Sequence, residues 1–244
     1  MSDALTARQT RILKSIIEEY IETACPVGSE TLDKKHNLGV SSATIRNEMV
    51  ALTKSGYLRQ PHTSAGRIPS SKALKFYIDQ LMEEKRMSVA DEVKTKQEVM
   101  ESKDDLDELM QDAACALAQK THSLAVAALD DEGKVWHSGY SNVFDNPEFF
   151  SEPQSLTSLF LCLEQIDRLH ELFFQRMTGL SPVEVVFGED LGWSGFFPIG
   201  VVGTRFLIRG KKGALGIIGP ARLHYQEIIP TIRYFRSLFE GLGV

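Results

Sequence analysis

The apolar positions of the first eighty residues recur with the period of helices. Ile12, Leu13, Ile16, Ile17, Tyr20 and Ile21 form one broad stripe, preceded by Thr6 and, three residues on, Gln9, the pairing of a capping box. The spacing predicts a first helix ending near Ala24, before Pro26. Ser29 is placed to cap a short second helix, with Asn37-Leu38-Gly39 as the turn out of it. Ser41 is placed to cap a third, SATIRNEMVALTKS, which stops at Gly56. Two short helices joined by a glycine-containing turn are the helix-turn-helix pattern. Tyr57 to Gln60 and a return beginning at Ile68 read as short strands, so PHTSAGRIPS holds a hairpin tip, and Ser70 caps a fourth helix, SKALKFYIDQLM. Its Leu74, Phe76, Tyr77, Ile78, Leu81 and Met82 are expected to close a small core.

The pattern then changes. Residues 83–105 are strongly charged and free of glycine and proline, which predicts a solvated helical connector. Helical spacing of apolar residues resumes at Leu106. Strands are expected at 124–129 and 134–136, at 183–187, around IGVVGTRFLI and at 213–219, the last two joined by RGKKG. A long helix is expected over 156–177, with Ile166 on its buried side, and a final one over 225–242, tolerant of Pro230 if that residue lies near the first turn. Antiparallel strands with helices on one face give an α+β domain over 106–244, behind a winged helix-turn-helix over 1–82.

Charge sharpens the reading of the first part. The chain carries a formal net charge of -6, yet residues 34–75 hold eight Lys and Arg against one acid, Glu48. A polyanion responds to that local field, because more distant charges are screened within about 10 Å. On the third helix Ile45, Met49 and Leu52 share one face. Ala43, Asn47, Val50 and Lys54 lie opposite, flanked by Thr44 and Arg46. Small residues, an amide able to pair with adenine and cations for guanine or phosphate suit a helix in the major groove. The hairpin tip supplies His62, Thr63, Ser64, Gly66 and Arg67 as donors to phosphate, with Arg67 able to enter a narrow minor groove. Candidate DNA contacts are therefore Ser41, Ser42, Ala43, Thr44, Arg46, Asn47, Lys54, His62, Thr63, Ser64, Gly66 and Arg67.

Other chemistries find little support. Cys25, Cys115 and Cys162 are far apart, and the histidines show no HExxH spacing, so neither disulfides nor a metal site is expected. Glu189 and Asp190 are sequence neighbours that do not face each other as a catalytic pair must, GxSxG is absent, and GTRFLIRGKKGALG lacks both common phosphate-loop patterns. No enzyme and no cofactor are expected. Apolar runs such as SLFLCL are too short to cross a bilayer and MSDALTARQT lacks a secretion signal's apolar core, so the expectation is a cytoplasmic protein without a membrane partner.

The segments VGSETL, LGVSSATIRNEMVAL, GYLRQPHTSAGRIP and FYIDQL resemble the N-terminal domain of the heat-inducible transcription repressor HrcA family, and LGIIGPARLHYQEIIPTIRYF resembles the end of that family's GAF-like domain. The resemblance implies a homodimeric repressor on an inverted-repeat operator in double-stranded DNA upstream of chaperone operons, kept active by chaperonin. It implies DNA contacts from Ser41 to Asn47 and from His62 to Arg67. Where the family carries an inserted subdomain that contributes to dimerisation, this chain has only HSGYSNVFDNPEFFSEPQ. Two alternatives compete with this reading. One is a regulator whose GAF-like domain encloses a small molecule among Trp136, Trp193, Phe196 and Phe197; the other is an interaction adaptor that no longer binds DNA.

Overall fold

The structure is a computed structural model that describes residues 5–130 and 133–242. The chain divides into two compact units, Met1–Glu83 and Glu84–Val244.

In the first unit, α1 (Ala7–Thr23) starts at the Thr6–Gln9 capping box and ends on Ala24, whose left-handed φ of 56° closes the last turn. Its Ile12, Leu13, Ile16 and Ile17 are buried, with Leu32 of α2 (Ser29–His36) and Ile45, Met49 and Leu52 of α3 (Ser42–Lys54). Gly28, not Ser29, is the N-cap of α2; the serine is already in helical conformation and no side chain caps that end. Ser41 does cap α3, accepting the Thr44 N–H at 3.3 Å. The chain leaves α3 through Gly56 at φ +77°. Strands β1 (Leu58–Arg59) and β2 (Ile68–Pro69) then pair antiparallel, Leu58 opposite Pro69 and Arg59 opposite Ile68.

Ser70 caps α4 (Ser71–Phe76), accepting from Ala73 N–H at 3.3 Å while donating to the Gly56 carbonyl at 2.7 Å. The helix widens into a π turn over Tyr77–Leu81. Only Ala73, Leu74 and Tyr77 of this segment's apolar side chains are buried. Phe76, Ile78, Leu81 and Met82, expected in the core, stay partly exposed, because the wider turn shifts the later side chains off the α-helical stripe.

In the second unit, residues 89–100 form α5 (Val89–Met100), and Asp105 caps α6 (Leu106–Thr121). The charged stretch expected as a solvated connector belongs to this unit: Thr95 and Val99 turn inward, while the charged residues line the outer side. Five strands follow, β3 (Leu124–Leu129), β4 (Lys134–Ser138), β5 (Glu184–Phe187), β6 (Ile199–Ile208) and β7 (Lys211–Pro220). They form one antiparallel sheet in the order β4-β3-β7-β6-β5. Arg209 and Gly210, at φ 49° and 75°, make a two-residue turn of the primed kind that suits strand twist.

Helices cover both faces of the sheet rather than one. α6 and α12 (Tyr225–Glu240) lie on the face of Phe206, whose ring stacks on Phe239 at 4.3 Å. The other face, with Val126, Val201, Ala214 and Ile218, packs under α7 (Tyr140–Val143), α8 (Pro147–Ser151), α9 (Pro153–Glu164), α10 (Ile166–His170) and α11 (Gly188–Leu191). All six β3 residues are buried, as strands covered on both sides must be. The helix expected over 156–177 is broken at Gln165, where the backbone is extended, and ends in a π turn over Glu171–Arg176. The break turns Ile166 outward, 49% exposed, while Leu159, Leu163, Leu169, Leu172 and Phe173 are buried as their spacing predicts. Phe173 lies against the paired Gly203 and Gly216, where any Cβ would come within 3.1 Å of its ring.

Candidate nucleic-acid interface

Capping and packing set the outward face of α3. With Ile45, Met49 and Leu52 inside, Ala43, Arg46, Asn47 and Lys54 are exposed, and Ser41 stands exposed at the N-terminus. Ser42 and Thr44 are half-buried, Thr44 with its hydroxyl 3.1 Å from that of Ser41. Glu48, the one acid of α3, is turned toward α1. There it meets Arg8 at 3.5 Å and accepts from Gln9 Nε2 at 3.1 Å. Arg46 and Lys54 have no ion-pair partner among the described residues, so their charge is available to an anion. Lys35, by contrast, is spent on Glu19 at 2.5 Å, a pairing that also involves His36 and holds the Glu19 carboxyl below the usual carboxylate range.

The loop between β1 and β2 divides into a tip and an anchor. Pro61, His62, Thr63 and Ser64 are exposed. Gln60 Nε2 clamps this tip from below, donating to the Thr63 and Ala65 carbonyls at 2.9 and 3.1 Å. Gly66 and Arg67 belong to the anchor and not to the tip. Arg67 exchanges both backbone hydrogen bonds with Val27, at 2.8 and 2.9 Å. Its guanidinium turns back to Thr53 Oγ1 at 3.1 Å and to the Ala65 and Gly66 carbonyls at 3.4 and 3.3 Å. Gly66 is required for close approach, because a Cβ there would lie 2.4 Å from the Val27 carbonyl oxygen. Arg67 thus ties the loop to α3 and to the segment before α2, contacts that already engage the guanidinium expected to enter a minor groove. Thr53 and Gln60 join it as positioning residues that the sequence did not single out, since neither position has a motif of its own.

The four aromatics expected to line a ligand pocket do not converge. Trp136 pairs with Ala127 on the α6 face, whereas Phe196 is buried in the core on the opposite face with Trp193 edge-on at 5.1 Å, and Phe197 is 49% exposed. No helix of the described residues is long and apolar enough to cross a membrane.

Residues 40–229 match the family model for the HrcA protein C terminal domain, a span that takes in α3, the β1–β2 loop and nearly all of the second unit. The chain belongs to the HrcA family. It is 48% identical over 129 residues to the heat-inducible transcription repressor HrcA of Acetivibrio thermocellus, covering 52% of this chain and 36% of that protein. It is 47% identical over 119 residues to the HrcA of Symbiobacterium thermophilum, covering 49% and 35%. The match thus spans about a third of the length of these HrcA relatives. A hypothetical protein with a crystal structure at 2.2 Å resolution shares the fold, with a TM-score of 0.71 at 18% identity over 98% of both chains.

Proposed function

We propose that the chain is a transcriptional repressor that binds double-stranded DNA sequence-specifically through a winged helix-turn-helix formed by α1 to α4 and the β1–β2 loop. In this reading α3 enters the major groove with Ala43, Arg46 and Asn47 toward the bases, Ser41, Ser42, Thr44 and Lys54 serve the backbone, and His62, Thr63 and Ser64 reach phosphates from the wing. The observation that carries it is the exposure of Arg46 and Asn47 on the side of α3 opposite the buried Ile45, Met49 and Leu52.

Relatives named heat-inducible transcription repressors support a target in stress-response operons. A two-fold assembly on an inverted repeat follows from the symmetry such operators share with their readers. The second unit then acts as a GAF-like regulatory and dimerisation domain, with chaperonin as the partner that sustains repression. Selecting bound fragments from the organism's own genomic DNA tests the reading. Enriched fragments should share an inverted repeat ahead of chaperone genes and should bind more weakly as salt rises. Absence of any enriched fragment across a range of salt concentrations would sink it in favour of an adaptor without DNA binding.

A further inference from the structure

The sheet of the second unit is incompletely covered at one edge. β5 pairs only with residues 200–203 of β6, yet β6 runs on to Ile208, paired on its other side with β7 throughout. Thr204 uses its hydroxyl on the Pro182 carbonyl at 2.7 Å, which leaves Arg205 to Ile208 without a neighbouring strand among the described residues. A cavity of about 490 Å³ lies here. Its lining draws on both faces of the sheet: Arg205, Leu207 and Lys212 from one, Phe206 and α12's Arg236 from the other. A cavity with walls on both faces runs around the free edge of the strand between them.

Backbone and side chains both indicate what fits. An open edge presents alternating N–H and C=O groups, and four residues at about 3.3 Å each offer roughly 13 Å of ladder. The Arg205 guanidinium donates to the Met177 and Phe174 carbonyls at 3.0 and 3.4 Å, which orient it without neutralising it. Lys212 reaches an acid, Asp130, only at 3.9 Å, while Arg236 is paired with Glu240. The surplus charge is thus positive. Charged side chains also guard edges against aggregation, but a guarded edge would not leave Leu207 61% exposed at its centre. A second copy would bring the same surplus of cations, Arg205 and Lys212, to this edge rather than the acids that complement them.

We propose that residues 205–208 of β6 accept an extended, acidic segment of a partner protein by strand addition, with acidic side chains toward Arg205 and Lys212 and an apolar one beside Leu207. The probe is a capped, fluorescent peptide alternating glutamate with valine, titrated onto the full chain by anisotropy, with amide NMR shifts as a second readout. Saturable binding with shifts concentrated at 205–208 is expected, and the double variant Leu207→Glu, Lys212→Glu should weaken it about tenfold or more. Both positions are well exposed, and intrinsic tryptophan fluorescence verifies that the variant is folded. Equal binding of a peptide alternating glutamate with proline, which lacks most of the N–H groups a strand needs, would reduce the site to a polyanion patch and overturn the proposal. So would equal binding of the lysine–valine peptide, or a peptide-free dimer that the double variant abolishes in sedimentation.

Discussion

The backbone N–H of Lys85 donates to the carbonyl of Gln226 at 2.8 Å. That carbonyl is the acceptor that residue 230 would normally engage in a helix, and residue 230 is proline, with no N–H to give. Pro230 lies beyond the first turn of α12, so the condition that would make it harmless is not met, and its usual cost of about 3 kcal/mol is offset by a partner from outside the helix. The same segment is fixed by Glu84 on Arg233 and by Lys85 Nζ on Glu227 at 3.2 Å. Pro230→Ala gives α12 a competing donor. Hydrogen exchange at the Lys85 amide should then accelerate about tenfold or more, and unchanged protection would show that the clip does not depend on the proline.

Arg46 and Asn47 present the prediction closest to function. Neither side chain contributes to the buried side of α3, so replacing either by alanine should leave folding intact. Operator affinity should fall by about 1 to 3 kcal/mol for each, with relaxed preference at the bases they read. Titration of both variants against the selected operator and single-base changes in it is the measurement. Unaltered affinity and preference in both would remove α3 from the groove.

Local signals were the legible part of this chain. The Thr6, Ser41 and Ser70 caps, the Gly56 exit and the inward face of α3 each depend on residues within one or two turns. What escaped depends on partners distant in sequence. The break at Gln165 is set by which residues meet the sheet, since an uninterrupted stripe through Ile166 reads equally well in one dimension. The anchoring of Arg67 needs Val27, forty residues away, and Thr53; without them a lone arginine beside a glycine looks like a phosphate contact. Helices on both faces were concealed for a related reason, because the small β3 side chains accept a layer on either side.

Arg67 gives a prediction that separates contact from positioning. A residue that neutralises a phosphate lowers the salt dependence of binding by about one counterion when removed. Arg67 instead holds the loop to Thr53 and to its own carbonyls. Arg67→Ala should therefore weaken operator binding while leaving the slope against log salt nearly unchanged, whereas Lys54→Ala should make the slope shallower. A slope reduced by a full counterion in the arginine variant would return Arg67 to the interface.

The buried thiol and the exposed one should differ in reactivity. Burial pushes the Cys162 thiol up to about 11, opposed only in part by the nearby Arg168 charge, so almost none of it is thiolate at pH 8. Cys25 lies exposed beyond the end of α1. Iodoacetamide at pH 8, followed by peptide mass mapping, should label Cys25 in the native protein and Cys162 only after denaturation. Native labelling of Cys162 at a rate near that of Cys25 would mean that the core under α9 opens readily.

Acid should loosen the clip between Glu84 and α12. Arg233 bonds both carboxylate oxygens of Glu84, at 2.5 and 2.8 Å, and those hydrogen bonds hold the carboxyl below the usual carboxylate range. A depressed folded-state pKa stabilises the protein above the unfolded value, about 4.3, and that contribution disappears as pH falls through the folded value. The pair is partly exposed, at 47% and 34% of side-chain area, so water and salt screen it and the effect is modest. Both tryptophans lie in the second unit, so their fluorescence follows its unfolding in urea without interference from the first. The midpoint of Glu84→Gln should lie below that of the parent at pH 7, and the gap should close as pH falls through the depressed folded-state value of Glu84, beneath which both side chains are neutral. A gap that persists unchanged into acid would mean that the glutamate contributes through packing rather than through its charge.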